Sequence, residues 1–381
     1  MMRKIWLFSL LWCLGLALLA CSPEPEKLGT ARATDWLTEY VSYIQETMET
    51  DNIPGLALAL VQGDEIILAE GYGLRDVASQ SPVTAETLFH IGSTQKSMTA
   101  MLLATLADEG LLDWDEPIIN FAPEFALSAA RATEKVTLRQ LLGMSSGIPD
   151  AAEDALPEES TPEDLFAVIR ETSLLGMPGE EFSYSNLAAA ASGYLGVLAA
   201  DGESDNLYAS YADLLQERVL DPIGMETATL YASVAQKNAN HSQSYTLSRQ
   251  GDPILSASYD FDGDILAPAG SLKANVTEMA LYVATQLSRG VAPNGNRVVS
   301  AENLAKTWQP HLENYGLGWE IQEYHGSKLI FHTGAYDDFV SVIGFLPEFE
   351  VGFVILVNSE EAGENLVEAA PYMLVEKLGR Q

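Results

Sequence analysis

The chain has 381 residues, 47% of them apolar and 19% charged, enough to bury one large core or two smaller ones and unlike a disordered or fibrous protein. Its 20 basic residues against 54 acidic ones leave a formal charge of −34. A polyanion of that strength is repelled by phosphate backbones at every approach, which excludes nucleic acid as a partner and suits the solvated surface of a secreted or surface protein.

The first predicted element is an export signal. Arg3 and Lys4 precede an apolar run from Ile5 to Leu19 that ends in Ala20, Cys21 and Ser22. The run is short for a membrane span and carries no positive charge beyond it. The stretch LLAC at Leu18–Cys21 resembles the processing box of bacterial lipoproteins. That resemblance implies cleavage before Cys21, a lipid on Cys21 and, because Ser22 rather than aspartate follows, a periplasmic protein anchored to the outer membrane. Cys13 falls in the discarded signal, so the mature chain has no cysteine pair for a disulfide.

Residues 21–33 form an acidic, proline-containing linker. Beyond it, residues 35–50 show helical apolar spacing, and 55–62 with 65–72 read as a hairpin around Gly63-Asp64. Residues 93–109 read as a helix, and helical stretches separated by Pro-, Gly- and Asp-rich loops dominate as far as residue 267. A helix over 276–287 follows, then strands in YGLGWEIQ (315–322), KLIFHTG (328–334), FVSVIGFLP (339–347) and VGFVILVNS (351–359), and a closing helix over 364–378. This order predicts an α+β fold: an antiparallel sheet built from both chain ends (34–105 plus 268–381), flanked by helices, with a mostly helical domain (106–267) inserted.

Three short patterns carry candidate chemistry. Ser93 stands at a helix start and Lys96 one turn on, so their side chains can meet. A serine hydroxyl is a weak nucleophile at neutral pH, and an amine whose pKa is lowered by burial and the helix N-terminus can take its proton. The plainer alternative is an N-capping serine with a solvent-facing lysine. Tyr184 and Asn186 flank Ser185 before a small-residue helix, spaced to face one side of an extended loop, where a phenol can relay protons and an amide can bind a substrate amide. His332, Thr333 and Gly334 end an apolar strand, and the glycine lets a ligand approach the backbone. No two of the five histidines have a metal-ligand spacing such as H-x-x-x-H, so neither a metal nor a cofactor is expected.

In this order, Ser93-x-x-Lys96, Tyr184-x-Asn186 and His332-Thr333-Gly334 resemble the three motifs of the serine β-lactamase and penicillin-binding protein superfamily, in its class C β-lactamase and D-alanyl-D-alanine carboxypeptidase branch. FHIGSTQKSMTA, VTLRQLLGMSSGIPD, PGEEFSYSN, LAPAGSLKANVTEMALY and YGLGW extend the likeness over nearly the whole mature chain. The resemblance implies a β-lactamase/transpeptidase-like fold and a serine hydrolase working through a Ser93 ester. Lys96 would accept the proton, Tyr184 would pass protons to the leaving group and help activate water, and Asn186 would position substrate. His332 and Thr333 would line the edge strand, and the N–H groups of Ser93 and Ala335 would form the oxyanion hole. The implied substrates are a peptide ending in D-alanine, a β-lactam, a small ester or a D-amino-acid amide.

Two departures stand out. His332 replaces the lysine of class C β-lactamases, and an imidazole with an unperturbed pKa of about 6.5 is no permanent cation for a substrate carboxylate. This shifts the expectation from β-lactamase toward peptidase, esterase or D-aminopeptidase members. Met144 stands where relatives usually have histidine in an HTSG stretch, and nothing in the sequence accounts for that change. Two rival readings remain. GMSSG at Gly143–Gly147 fits the G-x-S-x-G elbow of α/β-hydrolases with Ser145 as nucleophile, but it needs a strand before it and a helix after. The other is a non-catalytic envelope protein that binds peptidoglycan or a partner, which would have no use for Lys96 beside Ser93.

Overall fold

The computed structural model describes residues 30–157, 160–201, 205–257 and 260–379. The export signal, Cys21 and linker residues 21–29 lie outside them. Two strands from opposite ends of the chain, β1 (Gly55–Gln62) and β7 (Val351–Val357), are buried along nearly their whole length. Strands apolar on both sides need cover on both, and these two pair antiparallel at the middle of a sheet, with Leu56 opposite Val357. Five further strands complete it: β2 (Glu65–Asp76), β3 (Ser81–Pro82), β4 (Glu320–Tyr324), β5 (Ser327–Tyr336) and β6 (Phe339–Leu346). The order is β3-β2-β1-β7-β6-β5-β4, every pair antiparallel, as the apolar runs at both chain ends predict.

The two faces of the sheet carry separate cores. Leu56, Leu58 and Leu60 pack with Trp36, Tyr40 and Ile44 of helix α1 (Thr30–Thr50) and with Leu366, Ala370 and Leu374 of α5 (Glu360–Gly379). The alternating residues Ala57, Ala59 and Val61 face α4 (Val276–Leu287) and α2 (Lys96–Asp108). Helix α2 is buried all round from Lys96 to Leu106, the mark of a central helix rather than an amphipathic surface one. Ala-rich α3 (Asn186–Asp201) packs against it.

Two expected elements differ. The helix read over 93–109 begins as a 3-10 turn at Gly92–Gln95 and becomes α-helical only at Lys96. The strand read from residue 315 starts at Glu320, because Gly318 sits at φ +71 and lies so close to the first turn of α2 that a Cβ would be 2.5 Å from the Lys96 carbonyl oxygen. β4 therefore pairs only with residues 327–331 of β5 and leaves the half from His332 to Tyr336 without a strand partner on that side.

Candidate active site

From Ile91 to Leu106 every residue but Ser93 is buried. The 3-10 turn that carries it is pinned from beneath. Gly92 takes φ +52, and a Cβ there would sit 2.6 Å from the amide nitrogen of Ala335. A Cβ on Gly334 would sit 2.3 Å from the Ile91 carbonyl oxygen and 2.9 Å from the Ser93 nitrogen. Backbone thus packs on backbone, and the amides of Ser93 and Ala335 are held together where β5 pairs with β6 but has no strand partner on its other side.

Lys96 is wholly buried, and its ammonium donates to Ser93 Oγ at 2.8 Å, Asn186 Oδ1 at 2.8 Å and the Ala269 carbonyl at 3.0 Å. Burial brings its pKa down to about 7, against the opposing pull of the Glu153 and Asp150 carboxylates. Its Nζ lies 4.8 Å from the centroid of the Tyr184 ring. Burial raises the Tyr184 phenol above its ordinary value, outweighing the hydrogen bond from Ser93. The two residues around Ser185 therefore both reach Lys96, Tyr184 from the loop and Asn186 from the first position of α3.

His332 is buried in the wall formed by β5. Its Nδ1 meets the Thr333 carbonyl, which can only accept, so Nδ1 carries the proton and Nε2 accepts from the Tyr315 hydroxyl at 2.8 Å. Burial, and then the charge of Lys96, push its pKa down to about 3, which leaves a neutral ring with both nitrogens engaged. Thr333 and Ala335 reach solvent on the strand while Gly334 is covered.

Several partners have no signature in the sequence. Glu153, in a 3-10 segment at Asp150–Ala155, accepts from Asn186 Nδ2 at 3.1 Å, and its own pKa is raised by burial. Tyr315 and the Ala269 carbonyl lie within stretches that stand out in the sequence, YGLGW and LAPAGS, but their contacts with His332 and Lys96 cannot be read from spacing. Met144 has an account here: at φ +56 its carbonyl accepts from Ser183 N at 2.8 Å and its thioether from Ser185 N at 3.3 Å, so it holds the loop that presents Tyr184.

The Ser145 reading does not hold. Ser145 is fully buried and follows a helix (Leu138–Leu142) instead of a strand, although its Oγ lies 2.8 Å from His311 Nε2. A pocket of about 210 Å³ beside the stacked rings of His90 and Tyr336 is lined by His241, Gln243, Asp260 and Lys273 among others, and Ser93 is not part of it. Among the described residues no group of three or more His, Cys, Asp or Glu side chains is arranged to hold a metal ion.

This geometry can be set against known proteins. A family model described as Beta-lactamase matches residues 41–376. The chain belongs to the Beta-lactamase family. Within reach of this family, the chain is 27% identical over 331 residues to Protein flp of Staphylococcus aureus strain MW2, covering 85% of this chain and 64% of that protein. It is 25% identical over 360 residues to Unguisins hydrolase ungD' of Aspergillus campestris, covering 89% of this chain and 65% of the relative. The chain thus spans just under two thirds of the length of these curated relatives. Among solved structures it is similar to the octameric penicillin-binding protein homologue from Pyrococcus abyssi, with a TM-score of 0.76 and 27% identity over 90% of this chain and 77% of that one. The Beta-lactamase family fold and the antiparallel sheet flanked by helices agree.

Proposed function

We propose that this chain is a serine hydrolase that moves an acyl group from an amide or ester to Ser93 and then to water. The observation that carries the reading is the 2.8 Å contact between Lys96 Nζ and Ser93 Oγ, made by a lysine whose pKa lies at about 7. At neutral pH a substantial fraction of Lys96 is the free amine, which accepts the hydroxyl proton as Ser93 Oγ attacks the carbonyl carbon. The charge that develops on the carbonyl oxygen faces the N–H groups of Ser93 and Ala335. Tyr184, kept protonated by burial, has a phenolic proton to give the leaving group as the tetrahedral centre collapses. Water then attacks the Ser93 ester, its proton passing to the Tyr184 phenolate while the Lys96 ammonium returns a proton to Ser93 Oγ, and the acid is released. Neutral His332 gives no support to recognition of a substrate carboxylate by charge, which favours esters and amides without a carboxylate beside the scissile bond over β-lactams and peptides ending in D-alanine.

The test is intact-protein mass spectrometry after exposure to penicillin, a fluorophosphonate and a short-chain ester. At least one of them adds its acyl or phosphonyl mass to Ser93, and Ser93→Ala abolishes the adduct and lowers turnover about a thousandfold or more. Absence of any adduct, or an adduct that survives Ser93→Ala, overturns the proposal and leaves a binder with the same fold.

A further inference from the structure

Ser93 does not line the pocket beside the stacked rings of His90 and Tyr336, yet that pocket holds a group in need of a partner. A short strand pairing sets His90 opposite Lys273, and the Asp260 carboxylate bridges the two, 3.0 Å from His90 Nε2 and 2.7 Å from the Lys273 ammonium. A carboxylate only accepts, so Nε2 carries the proton and Nδ1 presents a bare lone pair. Burial holds the ring below its ordinary pKa, against the pull of Asp260, which keeps it neutral. His90 is 6% exposed, and its Nδ1 has no hydrogen-bond partner among the described residues. The same is true of Ser256 Oγ, which also lines the pocket. A buried acceptor without a donor is costly unless a molecule from solution supplies one.

The lining sets what fits. At about 210 Å³ the pocket falls short of the roughly 300–1,000 Å³ of sites for drug-sized ligands and suits a single small ring. An anion finds no unmatched cation: the Lys273 ammonium is 3% exposed and donates to Asp260 and, at 3.1 Å, to the Leu230 carbonyl, while Asp337 adds a carboxylate to the wall. His90 Nδ1 requires a donor, Ser256 Oγ takes either role, and Leu88, Phe89 and Phe339 supply apolar wall for C–H faces. Hydroxyls on a compact ring meet all of these. We propose that this pocket is a second ligand site, for a neutral polyhydroxylic molecule of monosaccharide size, and that its occupancy raises the reactivity of Ser93. The connection is short. His90 stands three residues before Ser93, and its ring stacks at 4.5 Å and 6° on that of Tyr336, the residue after Ala335. Without a donor, the His90 ring gains by turning Nδ1 toward water; a ligand hydroxyl on Nδ1 favours the stacked orientation and shifts the population toward it. Stacking in turn steadies both backbone segments that carry the oxyanion N–H groups. The effect on Ser93, unlike the binding, rests on the acyl-transfer reading.

The experiment titrates D-glucose, D-glucosamine and D-glucuronate, one ring in three charge states, by saturation-transfer NMR on wild type, His90→Phe and Ser256→Trp. His90→Phe keeps an aromatic ring to stack on Tyr336 and removes the acceptor. Ser256→Trp fills the pocket and leaves the buried charges in place. Glucose binds the wild type with a Kd of about 1 mM or tighter, the scale for so few heavy atoms. Glucuronate binds about tenfold more weakly, and each variant weakens glucose by about tenfold or more. At saturating glucose, the rate of Ser93 labelling by a fluorophosphonate rises about fivefold in wild type and stays unchanged in Ser256→Trp. The proposal is overturned by absence of glucose binding to wild type, by binding unchanged in Ser256→Trp, by a preference of about tenfold for glucosamine or glucuronate, or by labelling that bound glucose leaves unaffected. Binding is read on the sugar and labelling on Ser93, so the two failures are separable. A wild type that binds glucose but takes no label overturns the acyl-transfer reading, whereas a labelled protein that ignores glucose overturns only the second site.

Discussion

Lys96 illustrates how a single side chain is tuned by competing influences of comparable size. Taking an ammonium out of water is costly, and three acceptors at hydrogen-bond distance return only part of that, so the protonated form is disfavoured and the pKa falls to about 7. Glu153 and Asp150 pull the other way. The sign of the pH dependence follows: below pH 7 the lysine is an ammonium that cannot accept the Ser93 proton, so Ser93 labelling by a fluorophosphonate climbs about tenfold per pH unit up to that point and then levels. Glu153→Gln removes a charge that raises the Lys96 pKa, so its profile moves to lower pH; an unmoved or upward-shifted midpoint would contradict this electrostatic account. His332, with its pKa pushed down to about 3, adds no limb near neutrality. The Ser93–Lys96 pair was legible in the sequence because one helical turn separates the two. Glu153 was not, since its partner Asn186 lies in a distant segment and only tertiary folding brings them together, and the Ala269 acceptor is a backbone group that any residue supplies.

At the scale of elements, the proposed acyl transfer depends on the close approach of the Gly92–Gln95 turn to β5. Gly334→Ala inserts a methyl 2.3 Å from the Ile91 carbonyl oxygen and 2.8 Å from Ser341 Oγ, so strand and turn must separate. The expected result is a loss of about 1–3 kcal/mol in stability from overpacking, with kcat/KM reduced by about a hundredfold or more as the Ser93 and Ala335 donors move apart. Denaturant melts alongside ester turnover measure the two, and an active Gly334→Ala enzyme would show that this approach is dispensable. The one open side of β5 from His332 to Tyr336 was hidden in the sequence for a local reason. YGLGWEIQ has the apolar and aromatic content of a strand, but the left-handed backbone at Gly318 converts its first half into a loop packed on α2. Apolar periodicity senses burial, and a buried loop satisfies it as well as a strand does.

At the scale of the molecule, the sheet divides two cores with different duties. The face toward α2 and α4 supports Ser93, whereas the opposite face is closed by α1 and α5. Trp36 is 1% exposed in that second core, and its Nε1 has no hydrogen-bond partner among the described residues, so Trp36→Ala costs packing without breaking a polar contact seen there. We expect a loss of about 3–5 kcal/mol in unfolding free energy, with the pH midpoint of Ser93 labelling unchanged under native conditions; a shifted midpoint would mean that the two cores are coupled through the sheet. The sheet's assembly from both chain ends was readable from the position of its apolar runs, while the two-residue pairing of Phe89–His90 with Lys273–Ala274 was too short to leave a pattern. The pairing of β1 with β7 has a consequence in time. The first long strand made is hydrogen-bonded to the last, with nearly 300 residues of chain between them, as Leu56 opposite Val357 shows. A nascent chain holds an apolar strand that cannot be completed until β7 has been made, so folding of the central sheet waits on the synthesis of β7 and exposes β1 to aggregation until then.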